Sequence, residues 1–348
     1  MISKYYFLYI QIIFALIGII APLLQPKNLL FGVRLSKGLL KQNEVTTFRK
    51  SYLRYSINIF TVWIVVINYL MFKQQWFSSN VIWVEVVILF ALYIFFNNRV
   101  KNWKSKILQE NPELKPENPT VIIDTTFHNE QLTISNKWNL IPGILVLVHL
   151  AFCIVYMNFM MENLTIFTDV IKFFITNLIL LGAIQWKNFM IRNVKQQISA
   201  TNPEASRQRT ILFRRRWSTY LFIMLTLIIA SNLILTLQLL NITTIFDFIS
   251  MNFYLIFVGA IVFVSILMSI FLGQVGSRIK VVSESETNTD DIDDDKHWKA
   301  GFIYYNPSDP SLWIDKRMGI GWTLNFGNKF SWLFIIGIIA LVILTNVS

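Results

Sequence analysis

The chain is divided into apolar blocks of about 16 to 25 residues, each long enough, at 1.5 Å per residue, for a helix to approach or exceed the thickness of a bilayer's hydrocarbon core. A soluble core of this size would be woven from shorter stretches with a helical or strand period. The blocks lie near residues 5–24, 57–72, 79–96, 140–158, 168–187, 218–240, 251–273 and 331–347. Composition agrees, since only 15% of residues are charged, against about 25% in an average soluble domain. The expected fold is an all-α integral membrane protein with about eight transmembrane helices. Lys4 ahead of the first block, with no small-residue cleavage site after it, reads as the start of a retained span and not as a signal peptide.

Charge gives the expected orientation. Of the 31 Lys and Arg, all but Lys4, Lys73 and Lys172 fall in or beside alternate loops, 25–56, 97–139, 188–217 and 274–330. Basic residues are retained on the cytoplasmic side during insertion, so both termini are expected outside the cell and the large loops inside. The net charge of +11 is then a statement about sidedness and anionic lipid headgroups, and no nucleic-acid partner is expected. A weak internal echo supports repeated two-span hairpins. Lys101, Lys104, Ile107 and Asn111-Pro112-Glu113 recur as Arg192, Lys195, Ile198 and Asn202-Pro203-Glu204, and Phe48-Arg49-Lys50 before the second block resembles Phe213-Arg214-Arg215 before the sixth. An offset of two spans preserves direction, so such a repeat is parallel.

The loops carry their own patterns. After the third and fifth blocks the helices are expected to run on through 97–110 and 188–200 and to stop before Pro112 and Pro203. The alternation between Thr120 and Ser135 predicts a β-hairpin, and further strands are expected at Gly301–Tyr305, Leu312–Ile314 and Trp322–Phe326. Together these predict a small cytoplasmic β-module built from both loops. Residues 274–297, with an acidic run ending in Asp293, Asp294 and Asp295, read as a tether drawn electrostatically to the basic loops. The expected division is spans 1–3 with a basic loop over 1–111, a hairpin over 112–137, spans 4–7 over 138–273, an acidic linker over 274–297, a β-rich domain over 298–330 and a last span over 331–348.

Few residues can carry chemistry. Glu85 is the one carboxylate well inside a block, about 10 Å from its outer end by helix rise. His149 in the next block reaches a comparable depth, so the two are candidates for a proton-sensitive or ligand-binding pair; otherwise Glu85 snorkels towards Trp76 and Trp83 while His149 bonds a carbonyl. His149 and the single cysteine, Cys153, share a helix face, but a metal site needs three or four ligands and His128 and His297 lie in loops. Hydrolase and nucleotide-binding motifs are missing from the sequence, so no enzyme, metal or cofactor is expected. Gly319-Ile320-Gly321 reads as a tight turn.

The segments Lys296-His297-Trp298-Lys299, Gly301-Phe302-Ile303-Tyr304-Tyr305-Asn306-Pro307-Ser308-Asp309-Pro310 and Lys316-Arg317-Met318-Gly319-Ile320-Gly321-Trp322-Thr323-Leu324-Asn325-Phe326 resemble a bacterial domain of unknown function at the C-terminus of multi-pass membrane proteins. Pro26-Lys27-Asn28-Leu29-Leu30-Phe31-Gly32-Val33-Arg34 resembles a juxtamembrane segment of the same group and, more distantly, the Pro-Asn…Gly-Ile-Arg segment of the Sdp immunity proteins. Those proteins protect bacteria from a secreted peptide toxin and in one system sequester a repressor. The resemblance implies a non-enzymatic protein of the bacterial cell membrane that binds a peptide toxin or a regulatory protein. It makes Arg34, Trp298, Tyr304, Asn306, Asp309, Arg317 and Trp322 candidate functional residues beside Glu85 and His149. The alternative is a small-solute or ion-coupled transporter with Glu85 in the pathway and Asn177, Gln185 and Asn232 along it.

Overall fold

The computed structural model describes residues 2–20, 22, 25–26, 28–73, 81–114, 130–195, 203–240, 251–281, 294–319 and 321–346. It is mostly helical, with six helices long and apolar enough to cross a membrane: Asn43–Met71, Val81–Glu110, Asn136–Val155, Leu164–Arg192, Pro203–Leu239 and Gly259–Gly276. Two shorter apolar stretches, Phe7–Ile20 and Lys329–Ala340, correspond to the first and last expected spans. Exposed Val62, Val65, Val87, Leu147, Ile154 and Phe271 are what lipid-facing helices require, because hydrocarbon outside removes any reason to turn such side chains inward.

The chain forms two compact units. The first comprises residues 1–123, 195–206 and 273–348. Here α1 (Ile2–Ile20), α3 (Asn43–Lys73) and α4 (Val81–Glu110) pack on one another through Ala15, Phe60 and Leu89, and through Phe7, Ile67, Met71 and Val81. The Tyr52 hydroxyl donates to the Gly18 carbonyl at 2.7 Å and so satisfies an end carbonyl of α1. Helix α3 starts at Asn43, well before the expected span, so the basic run Phe48–Arg54 is helical and continuous with it. Helix α4 stops at Glu110, as Pro112 demands.

Between α1 and α3, within the expected basic loop 25–56, a hairpin forms. Strands β1 (Leu29–Leu30) and β2 (Val33–Arg34) are joined by Phe31 and Gly32, both at positive φ, followed by the one-turn helix α2 (Lys37–Leu40). Such a two-residue turn matches strand twist, and the glycine supplies its left-handed position. The C-terminal module contains the strands expected there, β4 (Ile303–Tyr304), β5 (Trp313–Asp315) and β6 (Trp322–Leu324), plus β3 (Trp298–Lys299). They form the hairpins β3–β4 and β5–β6, linked by a bridge between Tyr304 and Asn325, and α10 (Lys329–Asn346) follows. Gly319 and Gly321 have positive φ in the β5–β6 turn, as a tight reversal requires.

The second unit comprises residues 124–194 and 207–272. Its helices are α5 (Leu140–Val155), α6 (Met157–Glu162), α7 (Leu164–Arg192), most of α8 (Pro203–Leu239), and α9 (Met251–Leu272). Asn163 caps α7, its side-chain oxygen accepting from the amides of Thr165 and Ile166. The core is Val146, Ile184, Phe222 and Ile229, with a second cluster of Cys153, Met160, Val170 and Leu240.

Two expectations need correction. Helix α7 ends at Arg192 and not near residue 200. The Arg214 guanidinium takes the carbonyls of Ile191 and Val194, and the Lys195 amide donates to Trp313, so backbone groups that would extend the helix are used elsewhere. The first strand of the expected 120–135 hairpin lies outside the described residues, and residues 130–135 form no strand. Leu132 and Thr133 are buried instead against the helices of the second unit, with Glu130 paired to Arg207, Thr133 accepting from Arg192 and the Ile134 amide donating to Ser218. At the two ends of the expected acidic linker, Gln274–Gly276 and Asp295–His297 form short 3-10 turns.

Candidate functional site

The two sequence segments singled out near the ends of the chain meet in the first unit. The turn of β1–β2 packs tip to tip against the turn of β3–β4, where Ala300 and Gly301 also have positive φ. A Cβ on Gly32 would lie 2.2 Å from the Gly301 oxygen, and a Cβ on Gly301 would lie 2.8 Å from the Phe31 oxygen. Backbone therefore touches backbone and only glycine fits. Asn97 on α4 fixes the junction by donating to the Phe31 carbonyl at 2.6 Å. Phe31 itself is buried among Tyr52, Tyr93 and Phe96, with ring centroids 5.0 to 6.3 Å apart.

Beside this contact lies a buried ion cluster centred on Arg317, which is 2% exposed. Its guanidinium donates to the Gly32 carbonyl, to Asp294 and to Asp295, and stacks 4.9 Å from the Trp298 ring. Asp294 also lies 3.5 Å from Arg34 and accepts from the Trp298 indole at 3.1 Å. Asp295 accepts from the Arg34 amide at 3.1 Å and from Lys104 at 2.8 Å, so all four carboxylate oxygens are engaged. Burial alone would push both carboxyls up. The charges of Arg34 and Arg317 at Asp294, and of Arg317 and Lys104 at Asp295, outweigh it and hold both below the usual carboxylate range. Gln25 adds to the cluster, donating to the Tyr93 hydroxyl and to the Arg317 carbonyl, each at 2.7 Å.

A second polar centre sits in the same module. Asp309 accepts from Lys195 at 2.6 Å and from the Tyr304 hydroxyl at 2.9 Å, and its other oxygen accepts from the Ser311 amide. Burial pushes Asp309 up, but these hydrogen bonds bring it below the ordinary range, while burial pushes the Tyr304 phenol up to about 12. Asn325, fully buried, ties the loop together: it accepts from the Asn306 amide and donates to the carbonyls of Asn306, Asp309 and Ser311. Trp322 is buried opposite Asp315 in β6. The echoed lysines thus play matching parts, Lys104 on Asp295 and Lys195 on Asp309.

The structure therefore brings Arg34, Trp298 and Arg317 into one cluster and Tyr304, Asn306 and Asp309 into the neighbouring one. Glu85 belongs to the first unit and His149 to the second. His149, in the second unit, has both ring nitrogens occupied, Nδ1 by the Asn177 amide at 2.9 Å and Nε2 by Thr236 at 3.0 Å. An amide nitrogen can only donate, so Nδ1 is the acceptor and Nε2 carries the proton. Thr236 passes its own proton to the Asn232 carbonyl, and Asn232 donates to Asn177, giving a closed neutral network across α5, α7 and α8. Glu85 is fully buried in α4, and neither carboxylate oxygen has a hydrogen-bond partner among the described residues. In the same three-helix bundle Gln11 and Asn68 bond at 2.8 Å and leave Gln11 Nε2 and Asn68 Oδ1 without partners.

Sequence reasoning missed Asp294 and Asp295 as ligands of Arg317, and with them Gln25, Asn97 and Asn325. The acidic run was legible, but its partners are up to 261 residues away, and nothing local marks them. Among the described residues no three His, Cys, Asp or Glu gather as a metal site. The model of a family of unknown function, DUF5808, matches residues 307–332, which hold the Asp309 centre, the β5–β6 hairpin with Arg317, and Asn325. No curated protein and no solved structure matches the chain.

Proposed function

We propose that the chain is a protein of the bacterial cell membrane whose eight apolar helices all cross the bilayer, with both ends outside, and that it works by binding a partner in peptide-toxin immunity or envelope stress signalling. The observation that carries this reading is the junction itself: the β1–β2 segment, similar to part of the Sdp immunity proteins, is held by the C-terminal module through Arg317 and the paired turns. Loop and module then form one surface at the ends of α3 and α4, which suits recognition of a peptide at or in the bilayer. Every oxygen of Asp294 and Asp295 is already engaged, so the cluster is suited to holding this surface in shape. The test is survival of a sensitive bacterium exposed to secreted peptide toxins. Wild-type chain should protect, and Arg317→Met at equal membrane abundance should not; protection unaffected by Arg317→Met would refute the reading.

One observation favours the transporter alternative, namely the unpartnered Glu85 carboxylate in a bundle that also leaves Gln11 and Asn68 incompletely bonded. A buried ionisable group without a partner is costly in a membrane, and such groups mark ion or solute paths. Solute or proton flux in proteoliposomes, abolished by Glu85→Gln, would establish this alternative, and absence of flux would remove it.

A further inference from the structure

In the second unit three consecutive arginines near the start of α8 have divergent surroundings. Arg214 is 1% exposed and spends its guanidinium on the end of α7. Arg215 and Arg216 are exposed, and neither guanidinium has an ion pair or hydrogen bond among the described residues, the Arg215 backbone carbonyl alone accepting from Thr219. Both open onto a groove of about 590 Å³ between α8 and α9. Below them its walls are Tyr220, Ile223 and Met224 on one helix and Val264 and Met268 on the other. Tyr220 and Ser265 join the two helices by a hydrogen bond, so the groove has a pinned floor.

The chemistry is ordered along the groove. Two cationic forks sit at one end, no acidic residue lines it among the described residues, and the remainder, apart from the hydroxyls of Thr219 and Tyr220, is apolar over about 12 Å, the rise from Arg216 to Met224. A guanidinium binds a phosphodiester through paired donors, and thioether and aliphatic walls suit an acyl chain. A free phosphate would leave the apolar wall unused, and an apolar peptide would leave two arginines unsatisfied. We propose that this groove is a binding site for one anionic phospholipid, its phosphate on Arg215 and Arg216 and an acyl chain along Ile223, Met224, Val264 and Met268. The arginines stand just ahead of the apolar part of α8, at the depth where headgroups lie if the helices cross a bilayer, and the inference rests on that reading.

The test uses the full chain purified in mild detergent, with lipid retention measured by native mass spectrometry. Wild-type protein should retain one phosphatidylglycerol in preference to phosphatidylcholine of the same acyl chains. The double variant Arg215→Gln, Arg216→Gln should lose that preference by about tenfold or more, since each basic residue near the surface contributes appreciably to holding an anionic lipid. Val264→Trp, which fills the apolar part, should reduce retention of both lipids. A comparison pair on α3, Arg49→Gln with Lys50→Gln, also exposed and also ahead of an apolar stretch, should leave the preference in place. Preference retained by the Arg215/Arg216 variant, equal loss in the α3 variant, or no phosphatidylglycerol on wild-type protein would each overturn the proposal. The membrane-spanning reading fails separately, if the chain leaves membranes on alkaline washing.

Discussion

The largest buried polar network in each unit is of the opposite kind to the other, although the second unit also buries the Arg214 guanidinium. In the first, Arg34, Lys104 and Arg317 face Asp294 and Asp295, a charged cluster assembled from three separate stretches of chain at the ends of helices. In the second, His149, Asn177, Asn232 and Thr236 form a network with no formal charge, in the middle of apolar helices. The difference follows from the solvent each must be taken from. Ions are tolerable where water and several opposite charges are near, whereas a charge surrounded by hydrocarbon costs several kcal/mol, so neutral amides, a hydroxyl and an imidazole serve there. Glu85 is the exception that sets the first unit's bundle apart, a carboxylate among apolar helices with neither kind of partner among the described residues.

The contrast breaks most readily at Arg317. Replacing it by Met leaves two buried carboxylates facing each other, and removal of one partner of a buried pair costs about 3–5 kcal/mol. Hydrogen exchange should then rise across residues 298–326 while α5 and α7 stay protected; unchanged exchange in the module would show that the charges are not what holds it. Gly32→Ala comes next. It tests backbone contact and not charge, and with both a positive φ and a Cβ only 2.2 Å from the Gly301 oxygen it should cost about 2 kcal/mol and loosen the same region. A module as stable as wild type would place the turns further apart than described.

The neutral network should yield less. Asn177→Leu or His149→Leu should lower stability by about 1–2 kcal/mol, because hydrogen bonds between membrane helices are individually modest. A loss as large as that at Arg317 would erase the distinction between the units. Acid provides a further contrast. Asp294, Asp295 and Asp309 have depressed pKa values when folded, so their contribution is present above their unfolded values, about 3.9, and fades as pH falls through the lower folded ones. Module protection, followed by exchange between pH 7 and pH 3 with correction for intrinsic rates, should weaken only at the acid end. The smallest effect is expected at Lys195→Met, whose side chain is 34% exposed, at about 0.5–1 kcal/mol, and at Lys104→Met, 9% exposed, it should be larger. Thermal unfolding of the two variants would rank them, and the reverse order would mean exposure does not govern these pairs.

Where the helices lie was written locally in the chain. Hydropathy over a window placed α3, α4, α5, α7, α8 and α9, Pro112 stopped α4, and the alternation around Tyr304, Trp313 and Trp322 placed three strands of the module, because each of these signals needs only neighbouring residues. The same reasoning put the end of α7 too late, since the Arg214 side chain, which takes the carbonyls of Ile191 and Val194, comes from another helix and is not marked locally. It singled out His149 by depth, but depth could not name Asn177 and Thr236, the groups that hold its two ring nitrogens. Partnership belonged to tertiary structure: Arg317 finds Gly32 across 285 residues and Lys104 finds Asp295 across 191, and two unremarkable glycines turn out to touch. Hydrophobic length is a property of a segment and can be read in it, whereas a buried charge or a left-handed turn acquires its meaning only from the group that packing brings opposite.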